Sequence, residues 1–324
     1  MPTSTACDLS QRCDVRVLVT GGSGFVGRRL VAVLRERGDD VHSAAPSRGD
    51  DEHIPLDLTD GDNVRAVVEM VRPELVFHLA AQSFVPTSLE DPFETFRVNV
   101  DGTAYLLEAL RAQTSPAPRL IFTSSAEVYG PRPAADMPLR ETLPLRPSNP
   151  YAASKAAGEA LVLGWHHSYG IDAVISRAFN HIGAGQDPRF AVPAFAQRLA
   201  RVAAGSERVM HVGNVESERD FLDVRDVVGA YVALAERGVP GEIYNVCSGN
   251  AVKMREVLRR LVNLAGVPVE IREDPGLLRS SENPKSVGDP TKLKRTTGWS
   301  PKIDLAESLG EIYAEARARE TELI

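Results

Sequence analysis

In the stretch SNPYAASKAAGE a phenol and an amine stand four residues apart, at Tyr151 and Lys155. On a helix that spacing puts both side chains on one face. The same stretch signals where the helix begins. Ser148 or Asn149 can cap the first-turn N–H groups, and Pro150 suits the first helical position, where its missing N–H costs nothing. A tyrosine above a reacting carbonyl can deliver a proton to an oxygen gaining negative charge. Free tyrosine titrates at about 10, too high for ready exchange at neutral pH. A lysine one turn along favours the phenolate and lowers that value. A hydroxyl to orient the oxygen comes from TSSAEVYG (123–130), with Ser125 the first choice and Ser124 the alternative. A half-buried phenol and a surface amine on an ordinary amphipathic helix would share this spacing, so the surrounding elements decide.

Those elements alternate. The β-branched run at 15–20 reads as a buried strand, and the glycine turn Gly21-x-x-Gly24-x-x-Gly27 follows at once, opening a helix over 25–37. Glycines at this spacing let backbone approach a pyrophosphate, and the helix N-terminus faces its charge. Further strands are expected at 40–45, 53–58, 75–79, 120–124 and 171–176, with helices at 63–71, 93–112 and 150–169. This order predicts a Rossmann-like, doubly wound parallel α/β sheet joined by right-handed crossovers. Ser125 then falls just past a strand's C-terminal end, where such sheets place their sites. After 177 the alternation loosens into helices at 191–204, 224–237, 253–265 and 305–319, with a strand at 242–246. The expected organisation is a disordered tail (1–13), an NAD(P)-binding domain (14–180, with 221–249 returning to it), and a smaller C-terminal substrate-binding domain (181–220 and 250–324).

With a dinucleotide fold expected, the positive ring of an oxidised nicotinamide would reinforce Lys155 in lowering the phenol. NAD sites favour a carboxylate soon after the second strand. Here Ala45-Pro46-Ser47-Arg48 offers none, and an arginine beside a serine suits a 2′-phosphate. NADPH is the expected cofactor, with NADH open and Arg48 equally readable as a solvated loop residue. Asp57 is either an adenine contact or a helix cap.

The 324 residues are 43% hydrophobic and 25% charged, with a net charge of −7, which suits a globular protein without a phosphate-tracking surface. Three cysteines without a CxxC pair and scattered histidines suggest neither a disulfide framework nor a metal site. Residues 1–13 lack an apolar segment and no run of roughly 18 apolar residues occurs. No nucleic-acid or membrane partner is expected, and the cytoplasm is the default location.

The pieces TGGSGFVG, HLAAQS, NVDGT, TSSAEVYG and YAASK occur in the order of the extended short-chain dehydrogenase/reductase superfamily, the NAD-dependent epimerase/dehydratase family, which the chain resembles. The resemblance implies cofactor contacts from Gly21, Gly24, Phe25, Val26, Gly27, Arg48, Asp57, Leu58, Leu79, Ala80 and Ala81, and from Tyr151 and Lys155, the latter holding ribose hydroxyls. SRAFNHIGAGQ (176–186), VGNVESERDFLDVRDVVGAY (212–231), IYNVCSG (243–249) and TTGWSPKIDLAESL (296–309) look like GDP-4-keto-6-deoxy-D-mannose reductases. Those enzymes form GDP-D-rhamnose. This likeness implies that Ser83 and Ser125 touch the sugar, Asn180 holds the diphosphate, Val192 lies along the nucleotide, and Arg219, Arg279 and Glu282 bind phosphate or ribose. Glu127 occupies the position of the glutamate that removes the C5 proton in related dehydratases. Ala126 beside it cannot protonate a leaving hydroxyl. A nucleotide-sugar dehydratase or 4-epimerase with recycled NAD(P) is therefore the alternative, and a silent redox sensor is disfavoured by the intact Ser125, Tyr151 and Lys155. The resemblance also implies a homodimer in which helices 93–112 and 150–168 form a four-helix bundle.

Overall fold

The computed structural model describes residues 14–46, 52–115, 117–277 and 283–322. The tail at 1–13 and the positions of Arg48, Arg279 and Glu282 lie outside them. In chain order the strands are β1 (Arg16–Thr20), β2 (Asp40–Ala45), β3 (Ile54–Pro55), β4 (Leu75–His78), β5 (Arg119–Ser125), β6 (Asp172–Ala178), β7 (Asn180–Ile182), β8 (Val209–Val212), β9 (Glu218–Asp223), β10 (Ile243–Val246), β11 (Ala251–Lys253), β12 (Glu270–Glu273) and β13 (Lys285–Ser286). The helices are α1 (Gly27–Glu36), α2 (Gly61–Val71), α3 (Val85–Glu90), α4 (Pro92–Phe96), α5 (Gly102–Ala112), α6 (Pro150–Tyr169), α7 (Ala191–Ala203), α8 (Val224–Arg237), α9 (Met254–Ala265), α10 (Thr291–Thr297) and α11 (Leu305–Glu322).

Seven strands form one parallel sheet in the order β10-β6-β5-β4-β1-β2-β3. The chain winds outward from β1 through β2 to β3, then returns to add β4 on the other side. The strand order reverses at β1 and β4, and a crevice opens past their C-terminal ends. Alternate residues of each strand feed two cores. Val17, Val19 and Phe77 pack with Leu30 and Leu34 of α1 and with Val227, Tyr231 and Leu234 of α8. Leu18, Val76 and Phe122 pack with Val64, Val68, Leu106, Leu110 and Val162 on α2, α5 and α6. Both faces are covered, which is why these strands read as unbroken apolar runs. A third core joins α7, α9 and α11 over β8 through Leu199, Met210, Leu261 and Ile312. Beside it, β9 pairs with β7, β11 and β13.

The expected strand at 53–58 contracts to two residues, because beyond Pro55 the chain turns Leu56 and Leu58 into the core. The expected single helix over 93–112 is divided: a π-helical segment, Arg97–Asp101, separates α4 from α5. The wider turn brings Asn99 inward, 3% exposed, to partners on two other segments. The strands β7, β8, β9, β11, β12 and β13 were not legible. Each is short and half-exposed, or closes only against a distant segment.

Helix α6 lies so close to β5 that a Cβ at Gly158 would sit 2.6 Å from the Phe122 ring. Gly158→Ala is therefore expected to destabilise the fold by about 1–3 kcal/mol through overpacking. Urea unfolding measures this, and an unchanged midpoint would refute so tight a seat.

Candidate active site

The glycine turn follows β1 directly. Gly21 has φ +74, a left-handed conformation, and a Cβ there would stand 2.8 Å from the Ala80 nitrogen. A Cβ at Gly27 would meet the Gly21 carbonyl at 2.1 Å, so the turn and α1 close on each other only with glycine. Gly24 is exposed. The first turn of α1 holds no acidic residue and no side chain caps it. A bare helix start behind an open glycine turn fits a dinucleotide pyrophosphate. The Phe25 ring lies parallel to His181 at 6.1 Å, with the Arg29 guanidinium 4.7 Å over it. Val26, Leu79 and Ala80 are half-buried against the two cores, and Ala81 is half-buried beside them. Leu58 departs from expectation: its side chain is 6% exposed within the core, leaving only its backbone for a ligand. Asp57 is exposed and does not cap α2. It accepts from the Thr59 N–H and hydroxyl, which hold its carboxyl below the usual range, while Asp60 caps the helix.

Helix α6 presents the catalytic candidates. Asn149 is its cap, accepting from the Ala152 N–H at 2.8 Å, and Pro150 follows at the first position. Tyr151 is half-buried, with the Ser125 hydroxyl near its phenol. Burial pushes this phenol up to about 12, with Ser125 acting against burial and the Glu127 charge with it. Lys155 is not among the groups that move it. The Lys155 ammonium, 5% exposed, instead donates to the Thr123 carbonyl at 2.8 Å. Burial lowers Lys155 to about 8, opposed by Glu159. Ser125 caps the short turn Ala126–Tyr129 by accepting from the Glu127 N–H at 3.2 Å. Ser124 drops out as the alternative, because its hydroxyl is spent on Glu159 at 2.5 Å. The Glu127 carboxylate is exposed at the rim and accepts from the Asn149 amide at 3.3 Å.

Beneath these groups lie residues the sequence did not single out. His78 bonds Thr20 at 2.8 Å and Thr103 at 3.1 Å, and its carbonyl accepts from Thr123. Burial, helped by the Lys155 charge, lowers His78 to about 3. Asn99 donates to the Gln82 carbonyl at 3.0 Å and to Ser154 at 2.9 Å, tying the chain after β4 to α6. Asn99 and His78 stand inside the quoted motifs NVDGT and HLAAQS, the one signal that pointed to them.

Among the substrate candidates, Ser83 and Asn180 are exposed, Asn180 on β7. Arg219 is half-buried on β9 and donates to the Glu218 carbonyl at 2.9 Å. Val192 is corrected: it is 3% exposed in the third core, so its side chain cannot face a nucleotide.

A doubly wound sheet with a glycine turn at its switch point and a Ser-Tyr-Lys set past β5 defines an NAD(P)-dependent enzyme of the extended short-chain dehydrogenase/reductase class. The comparisons with known proteins narrow this. The chain belongs to the family described as GDP-mannose 4,6 dehydratase, which matches residues 18–312. It is 39% identical to the GDP-6-deoxy-D-mannose reductase of Pseudomonas aeruginosa, over 94% of this chain and 99% of that one. The structure of RMD from Pseudomonas aeruginosa complexed with NADPH superposes with a TM-score of 0.83 at 37% identity, covering 94% of this chain and 99% of that one. The UDP-glucose 4-epimerase of Thermus thermophilus, in complex with NAD, also gives a TM-score of 0.83, at 35% identity over 93% of this chain and 99% of that one. Among the described residues no helix is long and apolar enough to cross a membrane.

Asn149→Ala is expected to cost ~1 kcal/mol of stability through the lost cap, and Asn149→Ser only a few tenths. Serine cannot reach Glu127, so thermal melting beside turnover separates the cap from the tether. His78 adds a pH dependence. The unfolded chain protonates His78 below about 6.5, but the folded site resists to about 3. The His78 contribution to stability is thus full above pH 6.5 and is lost by up to ~1.4 kcal/mol per unit as the pH drops toward about 3. Acid unfolding of His78→Gln should show a shallower slope.

Proposed function

We propose that the chain reduces the 4-keto group of GDP-4-keto-6-deoxy-D-mannose with NADPH, forming GDP-D-rhamnose. The observation that carries this reading is the likeness, over nearly the whole chain, to a GDP-6-deoxy-D-mannose reductase and to a structure of RMD that carries NADPH. Tyr151, half-buried at the start of α6 one turn before Lys155, is the group placed to protonate the ketone oxygen.

When bound, NADPH supplies the hydride that the ketone carbon accepts. Ser125 orients the ketone oxygen, and Tyr151 gives that oxygen its proton as charge develops. Lys155 bonds the ribose hydroxyls and offsets the negative charge left on the phenol. Gly21, Gly24 and Gly27 line the pyrophosphate, with Phe25, Val26, Leu79, Ala80, Ala81, Asp57 and the Leu58 backbone along the rest of the cofactor. Arg48, which lies outside the described residues, is proposed for the 2′-phosphate, and NADH is a weaker substitute. Ser83 and Asn180 would touch the sugar and diphosphate, the Val192 backbone the nucleotide, and Arg219, Arg279 and Glu282 its phosphates and ribose. The sheet unit, 14–180 with 221–249, carries the cofactor, and the remainder carries the nucleotide sugar.

A second reading rests on Glu127, an exposed carboxylate held beside the site by Asn149. In that role it would take a C5 proton during water elimination. Leu89, Phe93, Phe96, Tyr105 and Tyr169 are exposed on the helices α3 to α6, which supports a homodimer through these helices. A cytoplasmic location accords with this reading.

The test is stoichiometry. With NADPH and the 4-keto sugar nucleotide, absorbance at the reduced-nicotinamide band should fall by one equivalent per product. Protein that binds NADPH but consumes none, while dehydrating GDP-mannose, would support the Glu127 reading instead. Tyr151→Phe should lose at least ~100-fold in kcat while keeping NADPH affinity. Activity within about tenfold of the parent would remove Tyr151 as the acid.

A further inference from the structure

Among the described residues, the most deeply buried ion pair joins Glu159 of α6 to Arg177 of β6, each side chain 3% exposed. The contact is bidentate, at 2.9 and 2.7 Å. The chemistry above does not use it. Arg177 also donates to the Tyr129 hydroxyl at 3.0 Å and the Glu141 carbonyl at 3.2 Å, and Tyr129 donates in turn to Asn245 on β10 at 2.7 Å. An apolar pair of similar size would often hold such a fold equally well. Stability alone is thus a poor reason for charges at this depth.

Position supplies a better one. Tyr151, Lys155 and Glu159 follow one another at single-turn intervals on one face of α6. Three successive residues of β5 meet them. The Thr123 carbonyl accepts from Lys155, the Ser124 hydroxyl donates to Glu159, and the Ser125 hydroxyl lies near Tyr151. We propose that Glu159, clamped by Arg177, is a positioning residue that sets the register of α6 on β5 and keeps the Lys155 ammonium charged. The proposal rests on the roles given to Tyr151 and Lys155 above.

The surroundings of Lys155 support the second part. From β4 it faces His78, which is neutral, and from β5 the Phe122 ring at 5.4 Å and the Thr123 carbonyl. Glu127 lies beyond Tyr151 on the turn after β5, and Arg177 lies behind Glu159 on β6. Among the described residues, Glu159 is the one charge opposing the effect of burial on Lys155. Glu159→Gln preserves size and an acceptor for Ser124. It removes the negative charge and leaves the Arg177 cation uncompensated, and both changes favour loss of the Lys155 proton.

The experiment is NADPH binding, followed by nicotinamide fluorescence from about pH 6 to 10, beside kcat and thermal melting. In the parent, affinity should weaken above a pH of about 8 as Lys155 loses its charge. Glu159→Gln should move that limb down by about one pH unit or more. Glu159→Asp, which keeps the charge, should leave the limb in place and lower kcat. Ser124→Ala should lower kcat about tenfold through misplacement, with NADPH affinity unchanged. A folded Glu159→Gln with the parent's limb overturns the proposal. If that variant does not fold, Ser124→Ala with the parent's kcat overturns it. A parent without turnover on the keto sugar, but with the limb and its shift intact, would overturn the substrate reading and leave this one standing.

Discussion

Everything at the site depends on how near α6 can come to β5. Gly158 permits the approach, since any larger side chain would strike Phe122. At that distance the strand's own atoms become ligands for the helix. A backbone carbonyl seats the lysine, one serine meets the glutamate, and the next faces the tyrosine. One packing distance therefore sets two hydrogen bonds and the approach of Ser125 to Tyr151. None of them would survive a helix displaced by a side chain's width.

The protonation pattern follows from the same closeness. Burial acts on three neighbouring groups and moves each toward its neutral form: the phenol upward, the amine and the imidazole downward. Glu159 and Arg177, equally deep, are joined as an ion pair. At neutral pH the site thus holds a protonated phenol, a neutral imidazole and the Lys155 ammonium above the paired Glu159 and Arg177. Beside it, the Glu127 carboxylate stays open to solvent.

Sequence reading recovered what depends on short-range pattern. The glycine spacing, the Asn149-Pro150 helix start and the i, i+4 relation of Tyr151 and Lys155 are local, and they stand in the structure where expected. What escaped was fixed by partners far along the chain. Asn99 is drawn inward by Gln82 and Ser154, and the helix widens there to allow it. Val192 looks like a candidate for ligand contact until α9 and α11 close over it. Strands β9, β11 and β13 have six, three and two residues, and exist only by pairing across long separations. The effect of burial on Tyr151 went unread for a related reason: proximity of charge can be read from spacing, but depth cannot.

The strand order also carries a cost during synthesis. Six of the seven strands of the sheet are complete by Ala178, and α2, α5 and α6 already cover one face. The other face, with Val17, Val19 and Phe77, has only α1 until Val227, Tyr231 and Leu234 of α8 emerge. At roughly 5–20 residues per second, that interval lasts several seconds. For that time the nascent chain displays half of a finished apolar surface. Until α8 covers it, that face is where the unfinished chain is open to off-pathway association.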